Sequence, residues 1–271
     1  QISNIYTDTN DDVWLSTTQG VKVLRKDGST QEFTSDNDND TKIVLNTVGS
    51  ITGDALGRIW IGSSGGINIW DPKTEKMFTI TANFDEGKGL RTNYISSFIQ
   101  PDDDSFWVST WGGGIYKVQG DFSDLNDITF RFIADFNSGM FSADKKIWAF
   151  ENQKIYTLDV KTSEVQTFDT LNEEIKGMRI SSILVSKRGE LWIGATDELV
   201  KYHVQSDKVQ KFPIKTGKSS LPYNLVEDRA GNIWGTTLTS IFKFNISSNT
   251  YEVYPKNYGV TLDNFIPGSH T

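Results

Sequence analysis

Apolar and polar residues alternate in short runs along this chain, and no stretch holds a helical stripe over three turns. A period of two marks half-buried strands, whose successive side chains point to opposite faces. Residues 93–99, 106–109, 115–118 and 129–132 read in this way as four strands separated by turns. The grouping recurs. Trp14, Trp60, Trp107, Trp148, Trp192 and Trp234 each follow an aliphatic or aromatic residue, at separations of 46, 47, 41, 44 and 42 residues. Seven residues after the Trp stands Val21, Ile67, Ile155, Leu199 or Ile241, with Ile115 at eight in the third unit. Ten after it come Leu24, Trp70, Leu158, Tyr202 and Phe244, and about twenty after it Phe33, Phe78, Phe168, Phe212 and Tyr254. Four strands in every ~44 residues is the size of one β-propeller blade.

The expected fold is therefore all-β: a β-propeller of four-stranded blades, with six Trp-marked repeats plus a remnant of a seventh. As a single propeller fragment over 1–271, its blades fall at about 1–45, 46–92, 93–138, 139–179, 180–222 and 223–262. Residues 263–271 then open a further blade, because Leu262-Asp263-Asn264-Phe265-Ile266 reads as another innermost strand. The chain begins and ends inside the pattern, which predicts a piece of a longer protein. Asp54-Ala55-Leu56-Gly57 and Asp228-Arg229-Ala230-Gly231 stand six to three residues before a repeat Trp. Asp caps such a turn and Gly supplies its positive φ. Helical or leucine-ladder solenoids of similar period lack these features.

Charge and composition narrow the chemistry. Lys plus Arg number 27 against 35 Asp plus Glu, a net charge of −8, so the chain has no bulk attraction for nucleic acid or anionic lipid. With no Cys, disulfides, thiol catalysis and Cys-ligated metals are excluded. Two histidines, His203 and His270, make a His-rich metal site improbable. No apolar run reaches the ~18 residues of a membrane helix. Asp36, Asp38 and Asp40 alternate like the start of a calcium loop, but Thr41 and Thr47 stand where Gly and Glu would be needed. Glu227 and Asp228 are the one acidic pair near an innermost strand, and Asp228 already has a turn role. Gly112-Gly113-Gly114 lacks the following helix of a phosphate loop and reads as a turn. The expectation is no catalytic residue, no metal and no cofactor.

Topology points to a binding face. In a propeller, turns between second and third strands share a face with the connections entering each innermost strand. Arg91, Asn93, Arg179, Tyr223 and Asn224 lie in those connections, beside Asn46. Trp111 projects from a second-to-third strand turn, where other units carry Ser-Ser or Thr-Thr. Arg, Asn and aromatic side chains suit a sugar, offering donors for hydroxyls and a flat face for its C–H surface. The same residues also serve as strand caps and loop packing, and both roles stay open. The Asp turns at Asp54, Asp102 and Asp228 fall on the opposite face and are expected to be silent in binding.

Asp54 through Ile67, with its Ile59-Trp60-Ile61-Gly62 centre and Gly65-Gly66 turn, resembles the two-component regulator propeller repeat. Residues 188–196 and 231–236 match that pattern well, while Ile147-Trp148-Ala149-Phe150 lacks its Gly and Thr. The resemblance covers all six units. It implies the periplasmic sensor region of a hybrid two-component system histidine kinase of the gut Bacteroidetes kind, anchored in the inner membrane and dimeric. It further implies an adjoining propeller and an immunoglobulin-like domain in the same chain, and an oligosaccharide ligand that switches on glycan-utilisation genes. The alternatives are a propeller enzyme (a polysaccharide or streptogramin-type lyase, or a glycosidase) and a protein-interaction scaffold. Propeller lyases with such repeats use a histidine base, and neither His203 in a third strand nor the terminal His270 fits that role well.

Overall fold

The computed structural model describes residues 2–38, 40–83, 89–102, 105–136, 140–143, 146–151, 153–214, 221–237 and 240–254. These strands form six four-stranded antiparallel sheets, each ordered as the chain runs, which is the blade construction of a propeller. The expected seventh-blade strand at 263–271 and the end of the sixth segment, 255–262, lie outside the described residues. The chain falls into two compact units, each described by itself: unit 1 up to Glu151 with Tyr156–Gln166, and unit 2 with residues 152–155 and the chain from Thr167 onward.

Unit 1 carries four sheets. The first comprises β1 (Ile2–Thr7), β2 (Val13–Thr17), β3 (Gly20–Leu24) and β4 (Thr30–Phe33), and the second β5 (Val48–Gly53), β6 (Ile59–Ser63), β7 (Gly66–Asp71) and β8 (Lys76–Ile80). The third comprises β9 (Ile95–Asp102), β10 (Ser105–Thr110), β11 (Gly114–Gln119) and β12 (Thr129–Ala134). The fourth has β13 (Met140–Ala143), β14 (Lys146–Glu151), β15 (Lys154–Asp159) and β16 (Val165–Thr167), β15 starting in the stretch assigned to unit 2. Unit 2 holds a six-residue helix, α1 (Asp169–Glu174), then β17 (Ile180–Val185), β18 (Glu190–Ala195), β19 (Glu198–His203) and β20 (Lys208–Pro213). Its second sheet is β21 (Tyr223–Glu227), β22 (Ile233–Thr236), β23 (Ile241–Asn245) and β24 (Thr250–Tyr254).

The repeat tryptophans are wedges between sheets. Trp60 on β6 is fully buried against Phe98 and Phe106 of the next sheet, its ring 4.5 Å from that of Phe106. Trp192 on β18 packs likewise on Leu225, Phe242 and Phe244. Two devices let sheets approach this closely. At Gly62, two residues after Trp60, an added Cβ would meet Ile95 Cγ2 at 2.7 Å; at Gly194 it would strike the Pro222 carbonyl. Innermost-strand serines also tie sheet to sheet, Ser3 Oγ donating to the Val48 carbonyl at 2.6 Å and Ser181 Oγ to that of Pro222 at 2.6 Å.

Two local features differ from the sequence reading. The innermost strand of the third sheet begins at Ile95 rather than residue 93, because the Tyr94 carbonyl accepts the Trp111 N–H at 2.8 Å outside the ladder. Phe168, expected on a fourth strand, stands at the N-terminus of α1, 4% exposed, and its ring meets Tyr202 edge-on at 5.7 Å. The helix is held by Asn172, whose Oδ1 accepts the Ile155 N–H at 2.8 Å.

Candidate ligand-binding site

The Asp turns are built as clasps. Asp54 Oδ1 accepts the N–H groups of Leu56 and Arg58, both at 3.0 Å, while Oδ2 accepts Arg58 Nε at 2.8 Å and the Trp60 indole N–H at 2.8 Å. Arg58 Nη2 adds an ion pair at 2.7 Å with both side chains almost fully buried. Asp228 repeats the arrangement, taking Ala230 N, Asn232 N, Asn232 Nδ2 and Trp234 Nε1. Those donors, led by the Asn232 and Trp234 side chains, hold its carboxyl far below the usual carboxylate range. Asp8 does the same for Trp14 at 2.9 Å. Asp102 Oδ1 accepts from Ser105 Oγ at 2.6 Å. Asp54 and Asp228 thus have both carboxylate oxygens engaged by their own turns and tryptophans. A cavity of about 330 Å³ does open here in unit 1, walled by Asp54–Leu56, Gln100, Ser105, Phe106 and Asp121–Ser123.

The other ends of the strands in unit 1 carry Arg91, Asn93 and Trp111. Second-to-third strand turns and incoming connections do meet there: Gly20 N donates to Asn46 O at 2.8 Å, as Trp111 N does to Tyr94 O. Asn93 is a cap, its Oδ1 accepting from Ala82 N, as Asn46 Oδ1 accepts from Ser35 N. Trp111 is 61% exposed and its neighbour Tyr94 51% exposed, whereas the other described aromatics are buried or half-buried. Arg91 is exposed, yet its guanidinium lies 3.8 Å from the Phe132 ring centroid. Its backbone N–H donates to Tyr116 Oη, which donates in turn to Gly113 O at 2.6 Å. Burial pushes the Tyr116 phenol up, so it stays a donor.

In unit 2 Arg179 is exposed, its backbone N–H on Thr196 Oγ1 at 3.0 Å. Tyr223 is 5% exposed and belongs to the core. Asn224 sits in a bulge between β21 and β22 with φ of 52°, a conformation Asn tolerates, and its Nδ2 donates to Thr236 Oγ1 at 3.4 Å. His203 Nδ1 is 3.7 Å from Glu190 Oε1, a carboxylate oxygen already paired with Lys201 at 2.7 Å. His270 lies outside the described residues. Among the described residues no three His, Asp or Glu side chains gather as a metal site. Tyr94 is the surface aromatic that the strand assignment concealed.

The sheets are propeller blades, and unit 1 carries a clasped Asp54 turn at one end of its strands and exposed aromatics beside a stacked cation at the other. No protein-family model and no curated protein matches the chain. Among solved structures it is similar to the extracellular domain of BT4673 from B. thetaiotaomicron, described as a hybrid two-component system. The TM-score is 0.72 at 17% identity, over 94% of this chain and 36% of that one, so it spans little more than a third of that domain. It is similar also to virginiamycin B lyase from Staphylococcus aureus, with TM-score 0.65, 15% identity, and 94% and 84% of the two chains covered. A third likeness is to YCF48 bound to D1 peptide, with TM-score 0.65 and 11% identity over 93% and 81%. At these identities the shared property is the fold. Among the described residues no helix is long and apolar enough to cross a membrane.

Proposed function

We propose that this chain is a non-catalytic, ligand-sensing propeller of a periplasmic hybrid two-component sensor, and that it binds an oligosaccharide. Contacts come in unit 1 from Arg91, Tyr94 and Trp111, and in unit 2 from Arg179, while Asn93, Tyr223 and Asn224 hold the backbone beneath. In this reading a seventh blade begins at 263, and an adjoining propeller, an immunoglobulin-like domain and a dimeric kinase complete an inner-membrane-anchored protein controlling glycan-utilisation genes. The observation that carries it is the exposed indole of Trp111, paired with Tyr94 at the mouth of a turn where other units place small hydroxyl residues. The fold shared with an extracellular two-component sensor domain supports it.

Titration calorimetry against an oligosaccharide panel tests the reading. Binding is expected at micromolar level, about −8 kcal/mol. Trp111→Ala weakens it by about 1 kcal/mol through lost stacking, and Asp102→Ala leaves it unchanged. Binding insensitive to Trp111, or lost only in Asp102→Ala, refutes the surface. The second reading is a lyase, favoured by the coverage of virginiamycin B lyase, one structure of which is a catalytically inactive His-to-Ala form with quinupristin. Cleavage of a streptogramin or polysaccharide by this chain, abolished by His203→Ala, would install that reading instead.

A further inference from the structure

Two consecutive glycines of the β10–β11 turn, Gly113 and Gly114, build a cation mount. An added Cβ at Gly113 would meet Thr92 Cγ2 at 2.5 Å and Arg91 Cβ at 3.4 Å, so the bare backbone is what lets the 91–94 connection lie on the turn. At Gly114, with φ of 93°, an added Cβ would meet Phe132 Cε2 at 2.8 Å. Room for both partners of the stack, Arg91 and Phe132, therefore comes from consecutive missing side chains. Phe132 is itself fixed edge-on by Tyr116 at 5.7 Å, and Tyr116 Oη secures the Arg91 backbone.

Among the described residues Arg91 is also a cation with no ion-pair partner. Its guanidinium has no hydrogen-bond acceptor and no carboxylate partner among the described residues, in a chain with an excess of eight negative charges. Arg25 and Arg58 show the contrast, bound to Asp12 and Asp54 at 2.7 Å each. The carboxylate in electrostatic reach of the adjoining Tyr116 phenol, Asp135, forms no ion pair with Arg91. With its Cζ held 3.8 Å from the Phe132 centroid, the guanidinium keeps its N–H donors unused among the described residues, and such a fork can receive a carboxylate or sulfate through two parallel N–H bonds. A neutral hydroxyl uses one such bond and leaves the charge uncompensated.

We propose that the ligand of the Arg91–Tyr94–Trp111 surface is an anionic saccharide, whose carboxylate or sulfate is gripped by Arg91 while a neighbouring ring lies on the exposed aromatics. This rests on the oligosaccharide reading above and narrows it.

The probes are tetragalacturonate, its fully methyl-esterified and hence neutral counterpart, a chondroitin sulfate tetrasaccharide and cellotetraose. Calorimetry is run on the wild-type chain and on Arg91→Gln, Arg91→Lys and Trp111→Ala, each checked for an unchanged melting temperature. At least one anionic probe is expected to bind about tenfold or more tighter than either neutral one, a single charge-assisted bidentate contact being of that size. Arg91→Gln erases the preference, Arg91→Lys keeps part of it because the charge survives without the fork, and Trp111→Ala weakens anionic and neutral probes alike. Equal affinity for tetragalacturonate and its ester, with Trp111 still required, overturns the anionic ligand and leaves the oligosaccharide reading standing. A preference that survives Arg91→Gln overturns the role of Arg91. No binding by any probe removes both.

Discussion

Replacing Asp54 by Ala tests whether the clasp carries the second sheet. Removal strips one acceptor from four donors: the backbone N–H groups of Leu56 and Arg58, the Arg58 guanidinium and the Trp60 indole. Leu56 is exposed and regains water, but Trp60 is 0% exposed and Arg58 5%, so their groups do not. Breaking a buried ion pair by deleting one partner costs about 3–5 kcal/mol. An orphaned buried N–H costs about 1–3 kcal/mol on its own. The two losses share one oxygen and are not additive, so about 4 kcal/mol is the expected total. Asp228→Ala should cost less than Asp54→Ala, because its partners are the neutral Asn232 and Trp234 and no charge is stranded. The double variant Asp54→Ala, Arg58→Leu should recover much of the loss by removing the stranded charge. Urea denaturation followed by far-UV circular dichroism reads all four proteins. A cost below 1 kcal/mol for Asp54→Ala, or a double variant no better than the single, would refute the account.

Two further outcomes follow from the same geometry. Trp192 carries its indole N–H buried without an acceptor among the described residues, and the residue six earlier is Ser186 rather than Asp; Ser186→Asp should supply the missing clasp and raise stability by about 1 kcal/mol in the same urea titration, and a loss would show that Glu190 nearby repels it. The Asp228 carboxyl is depressed in the folded state, so the unfolded chain takes up its proton first as pH falls; the contribution is full above the ordinary carboxylate pKa of about 3.9 and drains away on acidification through the lower folded value. Acid titration should therefore show Asp228→Asn losing stability less steeply than wild type below about pH 4, and parallel curves would contradict it.

The repeat was legible because its signals are local and redundant. Tryptophan wedges, turn glycines and period-two runs sit at fixed offsets, and each records burial between twisted sheets. The Asp–Trp clasp was written at the same spacing, in Asp8 and Trp14, Asp54 and Trp60, Asp228 and Trp234, but turn capping alone explained the Asp and hid the second partner. Helix α1 escaped because six residues with one buried side chain, Leu171, make no stripe. At the surface, Trp111 announced itself by breaking a pattern of small hydroxyl residues. Arg91 over Phe132 did not, since 41 residues of chain separate them and only the folded turn brings them together.

That division of legibility has a physical source which also bears on where function sits. A turn whose Asp must satisfy an indole, two backbone N–H groups and often a neighbouring side chain has no freedom left, so its sequence is dictated by the sheet it closes. In the first three sheets the turns at the other strand ends close with a Thr or Ser hydroxyl on a backbone carbonyl, as Thr17 does with Gly20 O at 2.9 Å and Thr110 with Gly114 O at 3.1 Å. That bond is made by the first residue of the turn and leaves the next one unconstrained. Thr18, Ser64 and Trp111 occupy that next position without altering the ladder behind them. A fold of this kind can change what it binds at one end of its strands while the other end keeps the sheets in register, and Trp111 with Arg91 stands at the end that is free to change.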